Sequence, residues 1–568
     1  MTDMRRTLLW GVFLISLFML YQAWNKHNGQ PSLLDPRPAV TAPAPVPAGS
    51  AALPGVGAAP APSVAGAAPV AAAAAPAASA APQAPNEKVT VTTDVMKATL
   101  ETRGGEVVRV ELLKQTDQND PTKNVVLLDQ SNERLYVAQS GLVPQTAGTS
   151  DWHPVMRLAP GERTLKEGAN QLELKFESPE FNGVKLVKTY IFKRSDYVVD
   201  VKHEVVNGSS APISPKLYLQ LVRDGNSPAG ESSFYFTFTG PAIYTDASKF
   251  HKIDFKSIEK RKPGEAPDHD LHGNDGWVAM VQHYFTSAWL IDKPNAPPQP
   301  REYFSGKVDT NTYSVGMQVP LGEIAPGATK VFDAHLFVGP QEEDKLSALA
   351  SGLELVKDYG YFKILAKPLF WLLTHLHNII GNWGWAIVAL VVLLKIAFFW
   401  LNASAYRSMA KMKAINPKVM EMRERLKDKP QQMQQEMMRI YREEKVNPLG
   451  GCLPIFVQMP FFIALYWVLL SSVEMRHAPW LGWITDLSAK DPFYILPLLM
   501  TGTSLLQTWL NPTPPDPVQA KMMWIMPLAF SVMFFVFPAG LVLYWLTNNI
   551  LSIAQQYIIN KKLGVLGK

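Results

Sequence analysis

The chain has 568 residues, of which 47% are apolar and only 18% are charged, and its formal net charge is +5. Soluble domains carry about 25% charged residues, so this composition argues against a single compact soluble globule. The weak net charge argues against direct, specific nucleic-acid binding. Cys452 is the only cysteine, which excludes an intrachain disulfide and a cysteine-cluster metal site.

The first predicted element is an apolar helix near the N terminus. Thr7 to Trp24 contains no charged residue and follows Arg5 and Arg6, and as a helix it would be about 27 Å long, close to one bilayer core. A cleaved signal peptide is the alternative, but no small-residue cleavage site follows the apolar run. We therefore predict an uncleaved anchor over residues 1–27 with a cytoplasmic N terminus, so that the following chain is exported.

Two regions of different amino-acid composition follow the anchor. Residues 28–86 are mostly Ala and Pro, and recurrent prolines prevent a continuous helix, so a flexible tether is predicted. Residues 87–351 contain short segments rich in β-branched residues between turn signals such as Asn207-Gly208, which predicts an antiparallel β-sandwich. Residues 352–380 carry apolar residues at helical spacing together with lysines and histidines, which predicts an amphipathic helix in the membrane surface.

The C-terminal third is predicted to be a membrane bundle. Its five predicted crossings are 381–402, 451–473, 493–509, 522–537 and 541–558. The loop 403–450 carries eleven Lys or Arg against six Asp or Glu, and the tail 559–568 is also basic, so both are predicted to be cytoplasmic, as is the loop 510–521. The loop 474–492 is then periplasmic. With the anchor, this gives six crossings and two cytoplasmic termini.

Lys395 is the feature of the bundle with the strongest functional signal. It lies near the middle of an apolar segment, where an ammonium group costs about 2.5–3.5 kcal/mol on insertion scales. A side chain that extends to the cytoplasmic interface is the alternative. We favour a position facing a wet cavity, because the interface is about seven residues away. In that case the bundle has an amphiphilic interior.

Other segments supply candidate substrate contacts and a candidate docking surface. Polar, aromatic and thioether side chains are predicted to line the interior: Gln458, Phe462, Met500, Met533, Tyr544 and Trp545. The alternative for each apolar residue is ordinary helix packing or lipid contact. Methionines that could make adaptable apolar contacts are concentrated in the predicted cytoplasmic helical hairpin: Met409, Met412, Met420, Met433 and Met437. The alternative there is a solvated hairpin whose methionines pack together.

Catalytic and cofactor signals are weak. The sequence has no Walker A pattern, no dinucleotide-binding glycine motif, no His-Glu-x-x-His and no Gly-x-Ser-x-Gly. Asp268, His269, Asp270, His272 and Asp275 could bind a metal ion, but they lie in a loop flanked by Gly and Pro. We predict no enzymatic activity, no cofactor and no metal.

Several motifs in the C-terminal third resemble those of the YidC family of membrane protein insertases. They are Val446 to Pro454 followed by Gln458-Met459-Pro460, Gly381 to Gly384, Ser408 to Met412, and Phe537 to Leu541. The match covers about 353–562, and the anchor, tether and β-rich region resemble the Gram-negative branch. The resemblance implies a polytopic α-helical inner-membrane protein with five core helices around a hydrophilic groove, plus a periplasmic β-sandwich domain.

The resemblance also implies a function and partners. Nascent membrane proteins would enter a groove open to the cytoplasm and leave sideways into the lipid bilayer, with or without the Sec translocon, while the ribosome contacts the cytoplasmic surface. The family's groove charge, usually arginine, falls on Lys395, which keeps the charge but loses the bidentate geometry. Two other hypotheses remain at this point: an ion or small-solute transporter that uses Lys395, and a carbohydrate-directed β-sandwich.

Overall fold

The computed structural model describes residues 85–118, 120–143, 153–228, 237–291, 298–427, 429–444, 453–511 and 517–562. The predicted anchor 1–27 and almost all of the predicted tether 28–86 lie outside these residues. So do 445–452, which hold most of the longest family motif together with Cys452. The described residues form a β domain, followed by a helical region.

The β domain consists of two nine-stranded sheets, whose strands are numbered here in chain order. In spatial order the first sheet contains β1 (Lys88–Thr92), β2 (Met96–Glu101), β3 (Glu106–Thr116), β4 (Asn124–Gln130), β5 (Leu135–Leu142), β10 (Lys216–Asp224), β17 (Thr312–Pro320), β16 (Arg301–Asp309) and β13 (His272–Gly273). The second contains β12 (Lys249–Lys252), β11 (Gly240–Thr245), β14 (Trp277–Val281), β15 (Phe285–Leu290), β18 (Thr329–Pro340), β9 (Val198–Asn207), β8 (Val184–Lys193), β7 (Gln171–Glu177) and β6 (Arg157–Leu158).

Alternation of side chains explains how these strands build a sandwich. In β9, Val201, His203 and Val205 are buried, whereas Lys202 and Glu204 between them are partly exposed, because successive side chains of a strand point to opposite faces. Two of the longest strand pairs, β9 with β18 and β10 with β17, are antiparallel. The predicted antiparallel β-sandwich is therefore confirmed.

The two sheets enclose one apolar core and are also joined by hydrogen bonds. Trp289 of β15 is buried in the core, and its indole donates to the Gln220 carbonyl of β10 at 3.0 Å. The hydroxyl groups of Tyr136 on β5 and Ser287 on β15 lie 2.5 Å apart. Buried polar groups that are satisfied in this way fix the register of one sheet over the other.

A basic pair is buried inside this core. Lys188 of β8 and His203 of β9 are both fully buried, and the Lys188 ammonium donates to the carbonyl groups of Gly104 and Ser140. His203 Nε2 lies 2.9 Å from the Ser140 hydroxyl. Burial lowers the Lys188 pKa to about 8. Burial, followed by the Lys188 charge, lowers the His203 pKa to about 3.

The stability of the β domain is therefore expected to decrease in acid. Between pH 6.5 and about 3, the unfolded chain binds a proton at His203 while the folded chain does not, so the free energy of unfolding falls as pH falls. The Asp200 pKa is held at about 2, chiefly by its hydrogen bond from His335, so Asp200 adds to the loss only below about pH 3.8. Urea unfolding of a fragment of residues 85–350 across pH 3–7 measures the effect. The His203→Gln variant should show a flatter profile above pH 4, and an equally steep profile would contradict the assignment.

Ten α-helices are found among the described residues. They are α1 (Phe255–Lys260), α2 (Glu343–Leu349), α3 (Lys363–Ile380), α4 (Trp383–Ala397), α5 (Phe399–Arg425), α6 (Pro430–Glu443), α7 (Leu453–Ser471), α8 (Ile495–Leu510), α9 (Pro517–Phe534) and α10 (Ala539–Lys562). α10 is central, since it packs against α4, α5, α7 and α8, while α3 packs against α4 and α7 and α9 packs against α8. Proline at the first position of α6 suits a helix start, because its missing N–H is not needed there.

The segment 381–402, predicted as one crossing, is divided at Phe398. α4 and the first half of α5 meet there at 68°, and the amide of Gln555 on α10 donates to the Phe399 carbonyl beside the break at 3.3 Å. Within the described residues no single helix is long and apolar enough to cross a bilayer. The bent pair 383–412 passes that test as a unit, and shorter apolar helices cover 457–471, 495–510 and 520–534.

Helix α3 has two apolar faces of different exposure. Ala366, Phe370 and Leu373 are buried against the bundle, whereas Ile364 and Ile379 are 83% and 82% exposed. An exposed apolar face of this kind is typical of a helix that contacts membrane or protein. The observed helix lies within the region predicted to be an interfacial helix.

Two of the family-like motifs are attached to the loop 474–492 by hydrogen bonds and one close contact. Asn382 caps α4 by accepting from the Trp385 amide at 3.1 Å, and its side-chain amide donates to the Pro479 carbonyl at 2.9 Å. Gly384 faces Trp480 so closely that an added Cβ would lie 2.2 Å from the indole. The Gly540 amide at the start of α10 donates to the Leu487 carbonyl at 2.8 Å. The loop thus accepts from the residue that caps α4, and it satisfies a backbone amide at the start of α10 that lacks an intrahelical partner.

Candidate functional site in the helical bundle

Lys395 lies in the last turn of α4 and faces α10. Its ammonium donates to the Ser552 hydroxyl at 2.7 Å, and that hydroxyl donates to the Asn548 carbonyl at 2.7 Å. Lys395 is half-buried and Ser552 is buried. Within the part of the chain that the structure describes, no carboxylate forms a salt bridge with Lys395. Lys395 thus places a positive charge inside the bundle, and a single hydrogen bond to Ser552 holds its ammonium.

Polar side chains continue along α10 from this point. Ser552, Gln556 and Asn560 are buried, and Asn549 is half-buried. Asn549 donates to the Ser504 hydroxyl of α8 at 3.0 Å, and Gln556 donates to the Asn511 side chain at 3.0 Å. The spacing of three, four and four residues places these groups on one face of the helix.

An aromatic cluster lies further toward the N terminus of α10. Ring centroids of Phe462 on α7 and Trp545 on α10 are 4.2 Å apart, and those of Phe534 on α9 and Trp545 are 4.9 Å apart. Tyr544 is buried beside Phe462 at 5.4 Å. Seven residues separate Trp545 from Ser552, so the cluster lies about 10 Å along the helix from the Lys395 contact.

The structure brings most of the predicted substrate contacts together. Met500 is buried in the same apolar core as the aromatic cluster, and its sulfur accepts from Asn549 at 3.6 Å. Met533 is partly buried against that core. Gln458 is half-buried on α7, one turn before Phe462. Of this set, Met500 and Tyr544 are the least accessible, at 3% and 4% exposure.

The predicted methionines of the hairpin do not form one exposed surface. Met420 is 45% exposed, whereas Met409, Met412, Met433 and Met437 are half-buried. The two arms, α5 and α6, are joined by an ion pair between Lys418 and Glu444 at 2.5 Å. A docking role for these methionines stays a prediction.

Sequence reasoning did not single out Ser552, Gln556 or Asn560. Their shared signal is helical spacing, which is hard to recognise because other polar residues, such as Asn548 and Gln555, lie on the same segment. The acidic and histidine cluster after Asp268 has partners of its own: His269 Nε2 lies 2.9 Å from the Ser305 hydroxyl, and Asp270 accepts from Thr245 at 2.7 Å. Among the described residues no three His, Cys, Asp or Glu side chains are grouped so as to hold a metal ion.

Comparison with known families matches both the β domain and the helical region. Residues 88–372 match the family described as YidC periplasmic domain, and residues 375–565 match the family described as 60Kd inner membrane protein. Curated relatives include the "Membrane protein insertase YidC" of Cupriavidus necator, which is 56% identical over 99% of this chain and 98% of its own length. The protein of that name from Janthinobacterium sp. is 50% identical over 99% of this chain and 100% of its own length.

Solved structures are more distant. One described as an active YidC insertase with the first transmembrane domain resolved is 17% identical, covers 83% of this chain and 92% of its own, and has a TM-score of 0.37. A putative aldose 1-epimerase from Escherichia coli K12 is 10% identical, covers 45% of this chain and 99% of its own, and has a TM-score of 0.27.

Proposed function

Because the chain belongs to the YidC family of membrane protein insertases, we propose that its bundle receives client segments in a hydrophilic groove marked by Lys395. The protein is an insertase of the inner membrane with a periplasmic domain, and it is not an enzyme. The observation that carries the groove proposal is the Lys395 ammonium facing the polar side of α10. A charge in a bundle of apolar helices is costly and is normally retained for function.

The proposed path of a client follows the chemistry of the bundle. A short hydrophilic exported segment enters beside Lys395, which attracts it when it is acidic. The apolar helix of the client then leaves along α7 and α9, past Phe462 and Met533, into lipid. Partition of that helix supplies free energy of about 0.8 kcal/mol per buried methylene, so no nucleotide is needed.

The remaining features of the proposal concern topology and partners. We place six crossings in the membrane, with both termini in the cytoplasm, and count the anchor 1–27 among them. The basic hairpin and tail then face the cytoplasm, where the ribosome would bind, and larger clients would pass through the Sec translocon beside this protein. The distribution of Lys and Arg among the loops supports the topology, and the resemblance to the family suggests the two partners.

Depletion and crosslinking test this proposal. Depleting the protein from cells should block insertion of small membrane proteins with short exported segments, and unimpaired insertion after full depletion would contradict an insertase role in that organism. A stalled nascent chain should crosslink to photoreactive residues at Gln458, Phe462 and Met533. Val331, which is exposed on the β domain, serves as the control position. Equal crosslinking at Val331 would argue against a defined path. Saturable flux of a small solute in liposomes would instead favour a transporter.

Removal of residues 87–351 is expected to leave most insertion activity. All strands of both sheets lie within 88–340, whereas the polar and aromatic groups of the proposed path lie on α4 and α7–α10. The measurement is complementation of a depletion strain by the shortened chain, with the empty vector as the inactive reference and the full-length chain as the active one. Loss of all activity in a chain that accumulates normally would move the function to the periplasmic domain.

A further inference from the structure

A buried ion pair joins three parts of the chain where the periplasmic domain meets the bundle. The Lys357 side chain is fully buried, and its ammonium lies 3.0 Å from both carboxylate oxygens of Glu474. It also lies 3.9 Å from the ring centroid of Phe370 on α3. Glu474 belongs to the 3₁₀ turn Val473–Met475 directly after α7. Lys357 therefore connects the amphipathic helix α3 with the periplasmic end of α7.

The periplasmic domain adds a second set of contacts at the same place. His283, in the turn between β14 and β15, has Nε2 2.9 Å from the Leu470 carbonyl in the last turn of α7. That carbonyl has no intrahelical partner, so His283 caps the helix. Arg476 donates to the Thr116 carbonyl of β3 at 2.6 Å. Its guanidinium carbon lies 5.2 Å from the ring centroid of Tyr284. Burial lowers the pKa of Arg476.

The Lys357–Glu474 pair is more deeply buried than two other ion pairs near this boundary, Lys252–Asp358 and Lys367–Glu354. The Lys252 ammonium lies 2.6 Å from the Asp358 carboxylate, but the two side chains are 32% and 35% exposed, and solvent weakens an exposed ion pair. Loss of one partner from a buried pair is more strongly destabilising, because a charge is left without compensation. The pair thus adds a buried electrostatic link to the apolar packing of α3 on α7.

We propose that Lys357 and Glu474 are positioning residues for insertion, which hold α3 at a fixed place against the periplasmic end of α7. A client that leaves along α7 then meets an outer boundary of constant geometry. The pair lies outside 87–351, so it is retained when the β domain is removed. The proposal rests on the insertase function of the family and on the client path along α7, but not on the role of Lys395.

Spin-label distances and insertion assays on the full chain test the role of the Lys357–Glu474 pair. Labels at exposed Ile364 on α3 and Leu481 in the loop after α7 report their separation, in a chain whose Cys452 is replaced by serine and which still inserts clients. Lys357→Met should broaden the distance distribution and reduce insertion about tenfold per folded molecule, whereas Lys357→Arg should retain both. The matched control Lys252→Met should change neither. A narrow distribution and full insertion in a folded Lys357→Met chain would overturn the proposal.

A double variant separates positioning from folding. Lys357→Met with Glu474→Gln removes both charges of the pair, so its thermal midpoint should recover above that of either single variant. If the pair positions α3, the distance distribution stays broad and insertion stays low despite that recovery. Full recovery of insertion would show that the pair serves stability alone. Lys395→Ala provides the last distinction: a narrow distance distribution with poor insertion of acidic clients identifies a failure in the groove and not in the Lys357–Glu474 pair.

Discussion

Replacing Lys395 with alanine is expected to reduce insertion of clients with acidic exported segments by about tenfold, as for other charges that attract ligands into a cleft. The ammonium is the charge that α4 presents to the polar side of α10. Clients whose exported segment is neutral should insert almost normally, because the expected effect is attraction between charges. Protease protection of a panel of clients in proteoliposomes measures both classes.

Two further variants make this prediction specific to charge. Lys395→Arg should insert the whole panel, since Lys395 contacts Ser552 through a single hydrogen bond and needs no bidentate partner. Ser552→Ala should cause a smaller loss than Lys395→Ala, because it removes the hydrogen bond and leaves the charge. Equal insertion of all clients by the alanine variant of Lys395 would reject a required groove charge.

The second large effect is expected in the aromatic cluster. Phe534 is 2% exposed and packs against Trp545, so Phe534→Ala should lower the free energy of unfolding by about 3–5 kcal/mol. Phe462 is only partly buried at the edge of the same core. Phe462→Ala should therefore destabilise the protein less, yet it should reduce crosslinking of a stalled client.

Thermal unfolding in detergent and crosslinking from Gln458 measure these two quantities. Tyr544→Phe is the mild reference, since it keeps the ring of a buried residue and removes one hydroxyl. Equal destabilisation by the alanine variants of Phe462 and Phe534, with unchanged crosslinking, would make Phe462 an ordinary packing residue.

Local patterns in the sequence predicted the elements better than their contacts. The alternation of valine with charged residues in β9 predicts a strand, and a lysine within an apolar run predicts an interior charge at Lys395. Neither pattern names a partner: Ser552 is 157 residues from Lys395, and one hydroxyl on a helix is too common to be informative. The same holds for Glu474, which is 117 residues from Lys357.

The break at Phe398 could not be predicted from the sequence, for a different reason. Sharp bends usually occur at Pro or Gly, or where a side chain intrudes on the helix hydrogen bonds. No Pro or Gly lies between Trp385 and Asn416. The structure instead places the Gln555 amide against the Phe399 carbonyl, a contact that exists only after α10 has packed.

The loop that ties the bundle together has a consequence for the order in which the protein assembles during its own synthesis. The side-chain amide of Asn382 can donate to the Pro479 carbonyl only after Pro479, 97 residues later, has been synthesised. At about 5–20 residues per second, this delay is about 5–20 s of translation. The start of α10 adds its hydrogen bonds to the loop still later. We therefore expect that end of the bundle to mature last, so a pulse-labelled chain should acquire protease resistance there only after the final helix has left the ribosome.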